Sequence, residues 1–240
     1  MADFMNKVWV GLLLAMGLVT GVVTGFPVES AGQEQDLYSM TSDQFFRMER
    51  VQQSIEFSNI DQPLLSAAVF HETNRRREKN KLPSLMHVPG LEEASRMHAR
   101  NMAKGQYLSH MNPDTPKRRS PLDRVQLTGL EPVYVSENVA THFGIQYEPG
   151  TKVYISEKNG EAQYRETRES PPIPNHTYQT FAQTLVEQWM NSKGHRRNIL
   201  SEKAGSLGAA CAKGDHERMT QFYCVQVFGG NAVLPASESD

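Results

Sequence analysis

The chain has 240 residues, of which 38% are hydrophobic and 22% charged, and its formal net charge is −2. This length is sufficient for one domain with a substantial core, and the composition is that of a globular protein. Because the net charge is slightly negative, the chain as a whole lacks the basic face that phosphate backbones require, so we expect no nucleic acid partner. Three short basic runs, at 75–77, 117–119 and 196–197, are interpreted as solvated surface rather than as anion sites.

An uncharged apolar run covers residues 8–26. Lys7 precedes it, and the polar residues Glu29 and Ser30 follow it. Two interpretations stay open: residues 1–31 are a cleavable signal peptide, or residues 8–26 are an N-terminal membrane anchor. The first predicts a secreted, extracellular or periplasmic protein, and the second predicts a protein attached to the membrane. Both place the remaining chain outside the cytosol, where disulfides persist.

Residues 32–62 are predicted to form a linker and an accessory helix. Thr41 or Ser42 caps this helix, which is expected to run to about residue 57. Its apolar side contains Phe45, Met48, Val51 and Ile55, which recur at helical spacing.

The main domain is predicted over residues 63–232. Helices are expected at 64–79, 91–104, 121–127 and 178–193, and strands at 133–141, 205–213 and 221–228. Helices around a few antiparallel strands indicate the α+β class, with the helices packed on a small central sheet. Residues 233–240 are interpreted as a C-terminal tail.

Two features of this domain are local. Asn159-Gly160 lies between alternating runs, which predicts an inserted hairpin and loop over residues 145–177. The last two strands are joined by the polar loop 214–220. If the loop is centred near Glu217, Cys211 and Cys224 lie opposite one another, and a cross-strand disulfide is predicted.

Side chains suited to chemistry occur in three separated segments, at 108–110, 136–140 and 189–200. In the last segment an amphipathic helix is predicted to end at a glycine stop, Gly194, with His195 just past the stop. A histidine in that position is held by the backbone and open to a cleft. We expect His110 and Glu137 to be its partners.

Several blocks resemble the CAP superfamily, which contains cysteine-rich secretory, antigen 5 and pathogenesis-related proteins, and the bacterial SCP-like branch fits best. The resemblance covers residues 64–230 and depends on the order of the blocks. They are Glu72-Thr73-Asn74-Arg75-Arg76-Arg77 with Leu82-Pro83-Ser84-Leu85, the segment from Ala94 to His110, Ser136-Glu137-Asn138-Val139-Ala140, the run from Trp189 to Leu200, and the run from Phe222 to Gly229. The resemblance implies a three-layer α-β-α sandwich with a small antiparallel sheet flanked by helices.

It also implies a cleft lined by two histidines and two acidic residues. His110, Glu137 and His195 match three of these positions, but Ser192 stands where the second acidic residue is expected. Glu187 is nearby in the sequence and is predicted to be solvated. We therefore expect the cleft to be lined by the triad His110, Glu137 and His195, together with Ser192 and Asn138. The Asn138 side chain is expected to hold the backbone around the cleft by hydrogen bonds.

Two imidazoles and a carboxylate are suited to three functions. His110 and His195 could bind Zn²⁺ or another divalent cation weakly, because two protein ligands leave coordination positions open. The same groups could act as base and orienter in a hydrolase or peptidase. They could instead form a buried polar network in a structural domain for cell-envelope interaction.

We favour a binding module for a small molecule, lipid or peptide, with possible membrane or cell-envelope association. No cofactor is firmly assigned, and no residue is assigned as catalytic. Ser109, Ser136 and Ser192 neighbour site residues, but none lies in a Gly-x-Ser-x-Gly turn.

The other histidines are interpreted as structural or solvated. His71 and His98 are expected at the edge of the core or within it, whereas His176 and His216 are expected in solvent. His142 is the strongest candidate outside the triad, and a structural role is still favoured for it.

Overall fold

The computed structural model describes residues 37–148, 150–158, 161–230 and 233–235. The apolar run 8–26, and with it the choice between a signal peptide and an anchor, lies outside the described residues. Within the described ranges no helix combines the length and apolar character needed to cross a membrane.

The described elements are a mixture of helices and strands. The helices are α1 Ser42–Phe46, α2 Gln62–Lys79, α3 Pro89–Gly105, α4 Pro121–Gln126, α5 Tyr178–Asn191 and α6 Lys193–Ile199, with 3-10 turns at Glu49–Gln52 and Pro116–Arg118. The strands are β1 Met86–His87, β2 Leu130–Pro132, β3 Val135–Phe143, β4 Tyr154–Lys158, β5 Glu161–Arg165, β6 Ser206–His216, β7 Met219–Gly229 and β8 Val233–Pro235.

The middle layer is a four-stranded sheet in the order β1-β6-β7-β3. β6, β7 and β3 are antiparallel, as predicted, whereas the two-residue edge strand β1 is parallel to β6. The sequence did not predict β1, because two residues are too few to show an alternating pattern. The opposite edge of the sheet is β3.

Helices cover both faces of this sheet. Successive side chains of β7 point to opposite faces, and both sets are mainly apolar, so each face is buried against helices. Val225 and Val227 pack with Leu91 and Met102 of α3. The opposite face contributes Phe222, Cys224 and Phe228 to a core that contains Leu65 of α2 and Phe181 and Trp189 of α5. The three-layer α-β-α sandwich is therefore confirmed.

The disulfide is also confirmed. Cys211 and Cys224 are directly opposite in the β6–β7 register, with an S–S distance of 2.05 Å. The connection is shorter than the predicted loop 214–220, because Glu217 and Arg218 form a two-residue turn with φ values of 48° and 67°. Both strands consequently extend beyond their predicted ends.

The accessory helix is much shorter than predicted. Thr41 caps it, since its hydroxyl accepts a hydrogen bond from the Gln44 amide at 3.2 Å, but α1 ends at Phe46. Beyond it, the Ile55 amide donates to the His176 carbonyl at 2.8 Å, and these bonds to a distant segment replace those of a helix. Phe45, Val51 and Ile55 are nevertheless completely buried in the core that contains α2 and α5.

The predicted hairpin is present, with β4 and β5 antiparallel from the Tyr154–Arg165 pair to the Lys158–Glu161 pair. Its Asn159-Gly160 turn lies outside the described residues. In the region interpreted as a tail, β8 pairs with β2. Pairing between such short strands depends on tertiary contact and leaves no periodic signal in the sequence.

Candidate functional site

The site is built on the edge strand β3. Glu137 and Asn138 are consecutive, so their side chains point to opposite faces of the sheet. Both are buried, at 5% and 0% exposure. The site therefore has two halves, one on the α3 and α4 side of β3 and one on the α5 and α6 side.

His110 belongs to the first half and lies in the loop after α3. Its Nδ1 is 2.9 Å from Oε1 of Glu137, and its side chain is 50% exposed whereas that of Glu137 is 1% exposed. A carboxylate accepts, so Nδ1–H is the donor. In the neutral ring, Nε2 then keeps its lone pair for a ligand.

The second oxygen of Glu137 is held by Arg124, a residue of α4 that lies in no recognisable sequence motif. Arg124 Nη2 is 2.6 Å from Glu137 Oε2 and also donates to the His110 carbonyl at 3.1 Å. Its Nη1 donates to the carbonyls of Arg118 and Arg119. The side chain is completely buried, so one guanidinium positions both the carboxylate and the loop that presents His110.

His98 supports the same loop from α3. Its Nε2 donates to the Ser109 carbonyl at 2.7 Å, and the ring is fully buried. Burial is the main cause that lowers the pKa of His98. The expected core role is confirmed, and the contact adds a second restraint on the backbone next to His110.

His195 belongs to the second half, but the glycine stop predicted before it is wrong. The helix is interrupted at Ser192, whose backbone is extended with φ −93° and ψ 125° and whose side chain makes no capping bond. Gly194 lies inside the first turn of α6 and does not adopt positive φ. His195 therefore projects from the start of a new helix.

A network of amides fixes this half. Asn138 Nδ2 donates to the His195 carbonyl at 3.2 Å and to Gln226 Oε1 at 3.1 Å. Asn198 Nδ2 donates to Asn138 Oδ1 at 2.9 Å and to the Glu137 carbonyl at 3.1 Å. Gln226 in turn donates to Thr73 of α2. Asn138 thus fixes the backbone, as expected, and is itself inaccessible to a ligand.

The two imidazoles interact electrostatically. Burial lowers the pKa of His195, and the nearby His110 lowers it further. A lowered pKa keeps the His195 ring neutral at pH 7, which is the form that binds metals. The arrangement offers two imidazoles, one of them oriented by a buried carboxylate.

The family model of the cysteine-rich secretory protein family, CAP, matches residues 70–228. The chain belongs to this family. No curated protein matches the sequence.

Solved structures of bacterial proteins are similar to this CAP protein at low identity. An extracellular protein containing an SCP domain from Bacillus anthracis is 22% identical, over 70% of this chain and 41% of its own, with a TM-score of 0.46. An outer surface protein from Borrelia burgdorferi is 16% identical, over 68% and 90%, with a TM-score of 0.44. The CAP domain of enterococcal PrgA is 13% identical, over 88% and 79%, with a TM-score of 0.44. The chain thus spans less than half of the Bacillus protein.

The acidic residue absent at Ser192 is not supplied by Glu187 in this CAP domain. Glu187 is 49% exposed and pairs with Arg76 of α2 at 2.5 Å. In the parts of the chain that the structure describes, no group of three or more His, Cys, Asp or Glu side chains is arranged to hold a metal ion. A metal at the site would have His110 and His195 as its two ligands, with Glu137 orienting one of them, which is the usual role of a carboxylate behind a metal-binding histidine.

The serines that neighbour site residues have local roles. Ser109 Oγ accepts a hydrogen bond from the Met111 amide at 3.1 Å, and Ser136 Oγ accepts one from the Tyr134 hydroxyl at 3.0 Å. Neither contact pairs a serine with an imidazole, so these bonds do not form the nucleophile–base pair of a serine hydrolase.

Two further histidines lie near α5. His142 contacts Gln188 and Thr184 through its two ring nitrogens, at 3.1 and 2.8 Å, so both nitrogens are already engaged. The solvated position predicted for His176 is wrong: its ring is 5% exposed, because the inserted segment returns to the core just before α5. His216 is exposed, as expected.

Proposed function

We propose that this CAP domain is a binding module outside the cytosol. Its site uses the imidazoles of His110 and His195 to bind a small molecule, lipid or peptide, either directly or through Zn²⁺ or another divalent cation. The observation that supports this proposal is the half-exposed His110 ring, oriented by the buried Glu137.

Orientation of this kind favours ligand binding. Because Nδ1–H is committed to Glu137, the tautomer is fixed and the lone pair is on Nε2. Arg124 balances the charge of Glu137 and holds the carboxylate in place. A ring prepared in this way loses little freedom when a ligand binds.

A location outside the cytosol is supported by the disulfide. Cys211 and Cys224 are the only cysteines in the sequence, and they are bonded to each other. Disulfides persist in oxidising compartments and are rare in the cytosol.

Zinc titration by calorimetry tests the site. We expect the full chain to bind zinc, and the double variant His110→Ala/His195→Ala to lose that binding while its circular dichroism stays unchanged. His216→Ala is the matched control, because it removes an exposed imidazole from the β6–β7 turn. If the double variant binds zinc like the parent chain, the metal is not bound at this site.

A hydrolase is the second candidate, because a histidine oriented by a carboxylate is also a general base. With no serine paired to an imidazole by the contacts above, the nucleophile would be water. This function requires turnover in a screen of peptides and esters, and Glu137→Gln should reduce that turnover sharply. A chain without turnover that binds zinc or a ligand supports the binding module.

A further inference from the structure

The loop that presents His110 has an unusual surface. Among the described residues, five of the six exposed large hydrophobic side chains lie between positions 108 and 133, and Met86 is the sixth. Single exposed leucines are normal on soluble proteins, but a concentration in one segment indicates an interaction surface. We call residues 108–122 the lip, and it contains Leu108, Met111 and Leu122, which are 52%, 45% and 42% exposed.

The lip also contains the consecutive cations Lys117, Arg118 and Arg119, all exposed. None of the three forms an ion pair with a described residue, whereas Arg75, Arg76 and Arg96 elsewhere on the surface are paired with glutamates. The lip therefore combines cations that have no acidic partner among the described residues with exposed apolar side chains.

The apolar and basic parts of the lip are held together. The Asn112 amide donates to the Arg119 carbonyl at 2.9 Å, which brings Met111 next to the basic run. Arg124 donates to the carbonyls of His110, Arg118 and Arg119, and so fixes both ends of the loop to α4. The lip is therefore a shaped surface with a fixed backbone.

A second group of cations lies on the α6 side of the site. Lys193, Arg196, Arg197 and Lys203 line a surface cavity of about 710 Å³ together with Tyr134 and one acidic residue, Glu202. None of these cations is ion-paired with a described residue. Although the chain has a net charge of −2, exposed positive charge is thus present on both sides of the site.

We propose that the lip docks on the surface of an anionic lipid bilayer, with Leu108, Met111 and Leu122 in the interface and Lys117 to Arg119 against the lipid phosphates. Apolar side chains flanked by Lys and Arg suit this interface, because each group meets its preferred environment there. A nucleic acid would leave the apolar side chains unused. The proposal goes beyond the imidazole chemistry and does not depend on it.

The sequence before the described residues is compatible with this geometry. Residues 27–36 separate the apolar run from Leu37 and span at most about 35 Å when extended. If residues 8–26 anchor the chain, the domain stays within that distance of the bilayer, where weak docking is sufficient.

The test uses the full chain with an environment-sensitive fluorophore at the lip. Both native cysteines are in the disulfide, so Met111→Cys introduces the single free thiol for labelling. The labelled chain is mixed with vesicles of phosphatidylcholine alone or of phosphatidylcholine with phosphatidylglycerol. A label at Met86→Cys is the matched control, because Met86 is the exposed apolar residue outside the 108–133 segment.

We expect the label at position 111 to enter an apolar environment only with anionic vesicles, and the label at position 86 to respond equally to both. Since each Lys or Arg near an anionic membrane favours docking roughly fivefold, Arg118→Glu/Arg119→Glu should lower the ratio of docked to free lip at least about tenfold. Arg47→Glu/Lys158→Glu makes the same charge change at exposed positions elsewhere and should leave the ratio unchanged.

Equal responses at positions 111 and 86, or a response that does not depend on lipid charge or on Arg118 and Arg119, would overturn the proposal. A protein partner for the lip would give that outcome, because vesicles would then elicit no specific signal. Zinc titration of the same charge-reversal chain reports on the imidazoles separately, so failure of the docking and failure of the site are distinguishable.

Discussion

Arg124 connects the parts of the candidate site more directly than any histidine does. Its guanidinium compensates the charge of Glu137 and satisfies three backbone carbonyls, yet the side chain has no exposed surface. Removing one partner of a buried ion pair leaves the other charge uncompensated, which costs far more than the loss of a surface pair.

The variant Arg124→Met tests this connection. We expect the free energy of unfolding in urea to fall by about 3–5 kcal/mol, because Glu137 is left buried without its cation. Zinc affinity should also decrease, roughly 10- to 100-fold, as expected when the group that orients a ligand is disturbed.

Arg119→Met is the control, since its side chain is exposed and only its carbonyl contacts Arg124. Its effect on the free energy of unfolding should stay within about 0.5 kcal/mol. Equal stability of the two variants would contradict the role assigned to Arg124.

The junction of α5 and α6 decides how His195 is presented. Ser192 is extended and ends α5, and the chain resumes helical geometry one residue later. Because α6 begins at Lys193, His195 lies one turn from the break, with its carbonyl held by Asn138. Gly194 has helical surroundings, and a Cβ placed on it would meet no atom within 4 Å.

Gly194→Ala should therefore raise the free energy of unfolding by about 0.5–1 kcal/mol, because alanine loses less backbone entropy in a helix. Denaturant unfolding measures this difference.

Gly208→Ala is the contrasting variant: its Cβ would lie 2.0 Å from the Glu92 amide nitrogen, where α3 packs directly on β6. We expect it to destabilise by about 1–3 kcal/mol or more. A loss of stability in Gly194→Ala would show that the position needs glycine after all.

Three histidines are buried in the folded molecule: His71, His98 and His176 are at most 5% exposed. Burial lowers the pKa of five of the eight histidines in the sequence: His71, His98, His142, His176 and His195. For His71 and His176, burial lowers the pKa from 6.5 to about 4, and each also has a histidine neighbour that lowers it. Their rings occupy the core that α1, α2 and α5 share, so their titration is linked to global unfolding.

We expect stability to fall as the pH drops from 6.5 towards 4. In the unfolded chain these imidazoles take up protons near pH 6.5, whereas in the folded chain they stay neutral until about pH 4, so the unfolded state binds more protons in this interval. Above pH 6.5 the free energy of unfolding carries no penalty from these two histidines. At pH 5 each of them lowers the free energy of unfolding by roughly 2 kcal/mol. Urea unfolding at pH 7.5 and pH 5 measures the loss.

In the variant His176→Phe, the loss of unfolding free energy between pH 7.5 and pH 5 should be smaller by roughly 2 kcal/mol, because one of the two titrating groups is removed. His216→Asn should leave it unchanged, since His216 is exposed in the β6–β7 turn. A pH profile that is identical in the parent chain and in His176→Phe would refute the link between burial and acid sensitivity.

Features with a local pattern could be predicted from the sequence. The positions of α2, α3, α5, β6 and β7 follow from residues that recur at periods near 3.6 or 2, and the register of one hairpin suffices to bring Cys211 opposite Cys224. The order of the short blocks identifies His110 and Glu137 as site residues, and the two side chains are in contact.

Features that depend on distant parts of the chain could not be predicted. The pattern through Ile55 favours a helix, but the Ile55 amide donates a hydrogen bond to the carbonyl of His176, which lies far along the chain, after β3 and just before α5. This contact also buries His176, although the sequence pattern around it predicts a surface loop. Likewise, Arg124 lies on a short polar helix and becomes a site residue only because α4 packs over β3. Gly194 lies within a helix because the preceding helix has already ended at Ser192. Local periodicity specifies elements, whereas hydrogen bonds and ion pairs between remote segments decide which polar side chains are buried and which of them form a site.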